Sequence, residues 1–393
     1  MLIGLIGKPS VGKSTFFKAA TLAEVEIASY PFTTIKPNHG VGYVRIDCID
    51  KEFDTQCQPS HGFCINGQRF VPIDLMDVAG LVPGASQGKG LGNQFLDDLR
   101  QADLFVHIVD VSGTTDSEGK PTRNHDVVSD VGFLEEELDK WFYNILLKAW
   151  KSFARKTEQE DASFAQAVEK QFSGLKVKEE QVKEVLLELE FKEQPSRWNE
   201  EQLMKFACAL RKQSKPMIIA ANKIDMEKGK ENFEKLKEKF PDLLIEPCSA
   251  DSELALRGAA KTGFIKYIPG DNHFEIIKDI NEKQKQALDK IKIEVLDVFG
   301  STGVQRVLNA AVFDFLEYVA VFPASANKLA DSKGNILPDC FLLPPKSTAL
   351  NFAYFLHTDF GKNFIKAIDA RTKKALGKSY VLKNRDALEI VTR

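Results

Sequence analysis

Gly7-Lys8-Pro9-Ser10-Val11-Gly12-Lys13-Ser14 fits the spacing GxxxxGK[ST] without a gap. That spacing suits polyphosphate chemistry. Its glycines permit turns that aim successive backbone N–H groups at phosphate oxygens, and a helix starting at Lys13 would add a positive dipole end. Residues Gly7 through Thr15 are therefore expected to touch a nucleotide. Lys13 would reach the β- and γ-phosphates, and Ser14 would hold Mg²⁺.

A second run, Asn222-Lys223-Ile224-Asp225, follows the apolar stretch Lys215–Ala221. A carboxylate at Asp225 can accept two N–H bonds from the N1 and N2 edge of guanine, and adenine would leave those groups unpaired. Further on, Ser249 and Ala250 stand at another strand end, placed for a backbone contact to the guanine oxygen. Asp77-Val78-Ala79-Gly80 has the DxxG form, with Asp77 as an outer-shell carboxylate for Mg²⁺ and the Gly80 N–H for the γ-phosphate. In Tyr30-Pro31-Phe32-Thr33-Thr34-Ile35, the hydroxyl of Thr34 is the expected metal contact, in preference to Thr33. The reaction implied is in-line attack of water on the γ-phosphate of GTP, with Lys13, Thr34, Gly80 and Mg²⁺ at the reacting groups.

Elements of the right kind flank each motif. Apolar strand patterns occupy Leu2–Ile6, Ile73–Met76, Leu104–Val111, Lys215–Ala221 and Leu243–Glu246. Motifs at strand ends mark the carboxyl edge of an open α/β sheet. About a hundred residues separate the strands ending near Ser112 and starting near Lys215, far more than an ordinary crossover. Helical patterns fill that interval at Phe133–Lys156, Phe164–Phe191 and Glu200–Lys212. The expected division is a P-loop domain with a parallel-rich sheet over 1–112 and 214–280. A helical insertion, of which a coiled-coil hairpin is one form, covers 113–213. A helical connector covers 281–320, with patterns at Asn281–Phe299 and Val304–Ala320, and a small α+β domain covers 321–393.

Composition excludes several classes. The 393 residues are 43% apolar and 28% charged, an ordinary globular balance. Lys plus Arg is 53 and Asp plus Glu is 56, so a net charge of -3 gives no whole-chain case for nucleic-acid binding, and no recognition of DNA sequence is expected. No apolar run approaches the ~18 residues of a membrane helix, and the first residues lack the pattern of a signal peptide. Six cysteines are too few for a disulfide scaffold, which fits a reducing cytoplasm.

Gly7–Ser14, Tyr30–Asn38 (YPFTTIKPN) and Asp77–Leu96 (DVAGLVPGASQGKGLGNQFL) resemble the Obg-related GTPases, nearest to the YchF-like branch in its archaeal form. The resemblance implies a GTPase that cycles between nucleotide states on or near the ribosome. Many YchF-like proteins carry Asn-x-x-Glu at the base-reading loop and prefer ATP, whereas this chain has Asp225. Ser10 stands where related GTPases often carry an Asn that helps hold potassium, which leaves potassium dependence open. Leu81 follows DxxG in place of the glutamine that orients the attacking water in Ras-like enzymes, so slow intrinsic hydrolysis is expected. The glycines from Gly84 to Gly92 make a loop that is easily ordered and disordered.

Residues 321–393 carry 12 basic and 6 acidic side chains, a net of +6, against -9 for the remainder. Strand patterns at Asn335–Leu343 and Ala387–Val391 flank helical ones near Thr348–His357 and Gly361–Lys366. His357–Phe360 and Phe364–Ala367 resemble a TGS domain, a ubiquitin-like (β-grasp) module. Lys362, Lys366, Arg371, Lys373, Lys374 and Lys378 would contact ribosomal RNA, with few exposed aromatics beside them. Cys48, Cys57, His61 and Cys64 cluster in one loop region, in a spacing that matches no standard zinc knuckle, and metal binding there stays open. His107, inside a buried strand, reads as a core histidine. The other readings are a YchF-like ATPase and a nucleotide-gated RNA- or ribosome-binding module with incidental hydrolysis. A metabolic kinase is the weakest, because no base for a substrate hydroxyl is apparent.

Overall fold

The apolar run Leu2–Ile6 forms β1, which is inside a sheet because both its neighbours are parallel strands. The computed structural model describes residues 1–21, 39–78, 99–160, 163–325, 329–331 and 333–393. The further strands are β2 (His39–Asp47), β3 (Phe63–Ile65), β4 (Gln68–Asp77), β5 (Leu104–Asp110), β6 (Met217–Asn222) and β7 (Ile245–Pro247). Their order is β2-β4-β1-β5-β6-β7, with β3 also beside β4. The path from β4 through β7 is parallel, and β2 and β3 run antiparallel to β4. Every residue of β5 and β6 is buried, as expected of parallel strands covered on both faces.

Alternation along β5 shows what covers each face. Leu104, Val106 and Ile108 pack in one cluster with the helix Lys13–Thr21 and the helix Val304–Asn309. Phe105 packs on the opposite face with Leu134, Leu138, Trp141 and Phe142 of the insertion. The insertion's main helix runs Val127–Gln159, capped by the Asp126 carboxylate, and so begins before the expected Phe133. The single helix expected over Phe164–Phe191 is broken. Phe164–Gln171 ends in a short 3-10 turn, Lys176 takes a left-handed φ of 58°, and a helix resumes at Glu179–Leu189. Glu200–Ser214 closes the unit behind an Asn199–Gln202 capping box. Trp150 stacks on Trp198 at 5.4 Å, with Phe164 and Phe206 around the pair. The apolar stripes are too wide for a two-helix seam, so the insertion is a compact layer on the sheet and not a coiled-coil hairpin.

After β7 the helix Ala250–Lys261 leads to a hairpin of β8 (Ile265–Tyr267) and β9 (Phe274–Ile276). The helix Glu282–Ile291 continues through a π turn to Phe299. The helix expected to reach Ala320 ends in a π turn, Ala310–Phe315, because β10 (Val319–Pro323) starts there. It joins β11 (Phe341–Leu343), β12 (Phe364–Asp369), β13 (Ala375–Leu376) and β14 (Asp386–Thr392) in a second sheet of order β11-β10-β14-β12-β13. The β10–β14 pair is parallel and the others antiparallel. The helix expected at Gly361–Lys366 is corrected: Thr358–Lys362 is helical, and Phe364 opens a strand whose Lys366 pairs with Val391. Tyr354 lies so close to Gly361 that a Cβ there would meet its ring at 2.2 Å. β11 is shorter than expected, since Pro338 removes a ladder donor.

Phe322, Leu337, Ala370 and Ala387 of this C-terminal module belong to the same apolar cluster as residues of β1 and β5. Among the described residues no helix is long and apolar enough to cross a membrane.

Candidate functional site

Gly7 and Gly12 have φ of +153° and +91°. A Cβ on Gly7 would meet the Ile108 carbonyl oxygen at 2.6 Å, and one on Gly12 would meet Asn222 Nδ2 at 2.4 Å. Only glycine lets the loop lie this close to the two strand ends. Phe16 N donates to Gly12 O at 2.8 Å, so the N–H groups of Lys13, Ser14 and Thr15 head the helix without intrahelical acceptors. They face the region where an anion is best stabilised.

Lys13 and Ser14 both turn to the end of β4. Lys13 Nζ pairs with Asp77 Oδ1, and Ser14 Oγ donates to Asp77 Oδ2 at 3.2 Å. Lys8 turns the other way. Its Nζ is 2.7 Å from Asp130 Oδ2 and donates to Thr115 O at 2.8 Å, and both side chains of the ion pair are buried. Lys8 therefore offers a phosphate only its backbone, and Pro9 offers no N–H at all. Ser10 sits at φ +65° with its carbonyl accepting from Lys223 Nζ at 3.0 Å. Val11 is buried, and its carbonyl accepts from Asn222 Nδ2 at 2.8 Å.

Asn222 ties two loops together. Its Oδ1 accepts from Ala250 N at 3.0 Å, so one amide joins the phosphate loop to the Ser249-Ala250 loop. Lys223 Nζ also pairs with Asp110 Oδ2 at 2.8 Å. Asp110 is fully buried; burial raises its carboxyl, but hydrogen bonds from Lys223, Ser112 and Thr115 outweigh that and hold it below the ordinary range. Ser249 caps the helix Ala250–Lys261, and its N–H donates to Thr302 O at 2.9 Å. Thr302 Oγ1 and Tyr267 OH in turn donate to the buried Glu253, at 2.5 and 2.7 Å. The Asp225 carboxylate is half-buried and has no hydrogen-bond partner among the described residues.

Asp110 and Glu253 escaped the sequence reading. The signal for Asp110 was there: a carboxylate ends a fully apolar strand, in register with Asn222. Glu253 carried none, since its partners come from Tyr267 and Thr302. Thr34 and Gly80 lie outside the described residues, as do Leu81, the Tyr30–Asn38 run and the Gly84–Gly92 loop. His107 is buried; desolvation, then the charge of Lys8, pushes it down to about 3, so it is a neutral core residue.

On the C-terminal sheet, Lys362, Lys366, Lys374 and Lys378 are exposed and Lys373 lies in the turn after β12. Arg371 is committed elsewhere, with its Nε 2.5 Å from Glu52 Oε2. Tyr354, Phe355 and Phe360 are exposed in the same module, and Phe355 packs edge-on against Phe341 at 5.2 Å. The cysteine region also departs from the expected set. Cys48, Cys57 and Cys64 converge, and Asp50 stands where His61 was expected.

Residues 2–142 match the family model of a 50S ribosome-binding GTPase. Residues 220–325 match an Obg-like GTPase YGR210-like, G4 motif-containing domain, and residues 332–392 match a TGS domain. A GTP-binding protein of Methanocaldococcus jannaschii is 48% identical over 394 residues, spanning 100% of this chain and 99% of its own. The crystal structure of a GTP-binding protein from Pyrococcus horikoshii superposes with a TM-score of 0.79 at 40% identity, covering 100% of both chains. A ribosome-binding ATPase YchF of Mycoplasma genitalium is 47% identical over 108 residues, 27% of each chain.

A phosphate-loop motif after β1 of a parallel sheet, with Asn222-Lys223-Ile224-Asp225 at the end of β6 two strands away, goes with a GTP-binding protein of the P-loop GTPase class. The chain belongs to the Obg-like, YchF-like family of that class, with a G-domain and a C-terminal TGS domain.

Proposed function

We propose that this protein hydrolyses GTP to GDP and phosphate, slowly when alone, and that its nucleotide state governs attachment to the ribosome in the cytoplasm. The observation that carries this reading is the convergence of Lys13, Ser14 and Asp77 beside a base loop that ends in Asp225. The arriving γ-phosphate replaces Asp77 as the partner of Lys13. The N–H groups of Gly12, Lys13, Ser14 and Thr15 cradle the phosphates. The Ser14 hydroxyl and Asp77 carboxylate are hard oxygen donors 3.2 Å apart, which suits Mg²⁺, with Thr34 proposed as a further contact. The ion would supply charge neutralisation between the β- and γ-phosphates. Gly80 is proposed to meet the γ-phosphate by its N–H. Leu81 has no group with which to orient water, so water must be held by a group from elsewhere, which accounts for slow turnover.

Attachment to the ribosome is supported by the exposed Lys362, Lys366, Lys374 and Lys378, with Phe360 exposed on the same module, and by the likeness to a ribosome-binding YchF ATPase. Ribosomal RNA met by that surface would be bound through phosphates and stacked bases. Nucleotide titration tests the base reading. GTP should bind at least tenfold more tightly than ATP, and Asp225→Asn should shift preference toward xanthosine triphosphate by roughly tenfold or more, the worth of one charged hydrogen bond. Equal affinity for GTP and ATP in the unaltered protein would overturn it in favour of an ATPase. Turnover measured with and without ribosomes tests the switch.

A further inference from the structure

We propose that Cys48, Cys57, Cys64 and Asp50 form a structural zinc site that fixes the joint between the G-domain and the C-terminal module. The ligand atoms of the four residues lie within 4.8 Å of one another, and among the described residues no other group of metal-ligating side chains converges in this way. Cys48 follows β2, Asp50 lies on the 3-10 turn Ile49–Phe53, Cys57 follows in the loop and Cys64 is on β3. Cys48 Sγ and Cys57 Sγ are 3.6 Å apart, and Cys64 Sγ is 4.0 Å from Asp50 Oδ2. With Zn–S near ~2.3 Å, two thiolates of a tetrahedral site stand about 3.7 Å apart, close to the observed edge. A disulfide would need a separation of ~2.05 Å.

Two buried groups here have an unpartnered atom: the Asp50 carboxylate lacks a cation and the Arg69 guanidinium an anion. Asp50 is 0% exposed, and its Oδ1 has no hydrogen-bond partner; its Oδ2 accepts from Cys57 N at 3.2 Å. An oriented, desolvated carboxylate oxygen facing three thiols is what a metal ligand looks like before loading. Arg69 is also 0% exposed. Its Nη atoms donate to the carbonyls of Leu337 and Pro338, while its Nε is unpartnered and no carboxylate pairs with it among the described residues. A buried guanidinium without an anion is costly. Three thiolates and a carboxylate around one Zn²⁺ carry two net negative charges, and Arg69 beside them offsets one. The soft sulfur set favours zinc over magnesium or calcium.

The position gives the site a task. The loop that carries Cys57 donates from Gln58 N and Ser60 N to Ile336 O and Pro338 O, both at 2.8 Å. The 3-10 turn that carries Asp50 inward presents Glu52 outward to Arg371 and Arg385. Metal at the four ligands would hold both the loop and the turn against the C-terminal module. Elemental analysis of the full chain, expressed with zinc and purified without chelator, should find about one zinc per chain. Exchange into cobalt should give the visible bands and thiolate charge transfer of a tetrahedral sulfur site. Cys64→Ser should lose zinc to a chelator at least tenfold faster than the unaltered protein, whereas Cys208→Ser, on the insertion, should retain it. If Cys64→Ser does not fold, the cobalt spectrum of the unaltered chain decides. Metal far below one equivalent with no tetrahedral cobalt spectrum would overturn the proposal, whether mass mapping then finds Cys48 and Cys57 bridged or free.

Discussion

The two halves of the proposed nucleotide cradle are built in opposite ways. On the base side, Asn222, Lys223 and Ser249 are each tied to buried groups of other elements: Val11, Ala250, Asp110 and Thr302. On the phosphate side, Lys13, Ser14 and Asp77 close on one another among the described residues. A wired half is preorganised and changes little when ligand arrives. A half whose charges pair among themselves must break those pairs, and that exchange is what a γ-phosphate can drive. Lys8 and Lys13, in the same loop, fall on the two sides of this divide and offer the sharpest way to test it.

The largest effect is expected at Lys8. Lys8→Met leaves Asp130 buried without its cation, which should cost about 3–5 kcal/mol of stability. His125, 2.8 Å from Asp130, places the loss toward the lower figure. Chemical denaturation reads the change, and GTP affinity of the folded fraction should be unaltered. A fall in affinity without loss of stability would mean that Lys8 faces the phosphates after all. Lys13→Ala should do the reverse. Loss of a charged donor to the β- and γ-phosphates should weaken GTP binding by about 3 kcal/mol, roughly a hundredfold, and GDP by less. Stability should stay near that of the unaltered protein, since Lys13 supports only the ligand-free pair with Asp77. Equal losses for GDP and GTP would break the assignment of Lys13 to the γ-phosphate.

The acid limb of stability reports the wired half from beneath. His107 has a folded value of about 3 against an ordinary 6.5, because burial and then the Lys8 charge oppose protonation. The unfolded chain therefore takes up a proton first as pH falls. The stability is fully present above about pH 6.5 and is lost progressively toward pH 3, with about 2 kcal/mol gone at pH 5. Thermal melts of His107→Gln should show a flatter acid limb than those of the unaltered protein. An unchanged limb would mean that His107 is not the group titrating.

Much of this site was legible before the structure, and the residues show why. The P-loop, Asn222–Asp225 and Asp77 are local patterns, and each needs only one strand end to place it. Partnerships across the fold were not legible. Lys8 stands in the phosphate loop, and nothing in the sequence pairs its side chain with Asp130 on the insertion. The Phe164–Phe191 helix failed at Gly174 and Lys176, where a turn lets the insertion fold back on Trp150. Gly361–Lys366 scored as helix by periodicity, yet pairing of Phe364–Asp369 with β14 overrode it. The C-terminal module shares a core with the first sheet through Phe322 and Ala387, so its removal would expose that core. Its role is better probed by single side chains in the full protein.

The smallest effect concerns that surface, because exposed charges act weakly and through salt. Lys362 and Lys366 are exposed on the helix end and on β12, near Phe360 and Ile365. Arg371 is held by Glu52 and so belongs to the joint, not to the free surface. If both lysines meet RNA phosphates, the double variant Lys362→Gln/Lys366→Gln should lower the salt slope of ribosome association by roughly 1–2 in logarithmic units, about 0.7–0.9 for each contact. GTP affinity should not move, since neither lysine is near the cradle. Arg371→Gln should leave the salt slope unchanged and reduce stability slightly, by about 1 kcal/mol or less for a half-exposed pair. Cosedimentation across a salt series reads both variants at once. A slope unchanged in the lysine double variant would place the contact away from this sheet and turn attention to the helical insertion, whose acid-rich outer faces would then have to meet protein and not RNA.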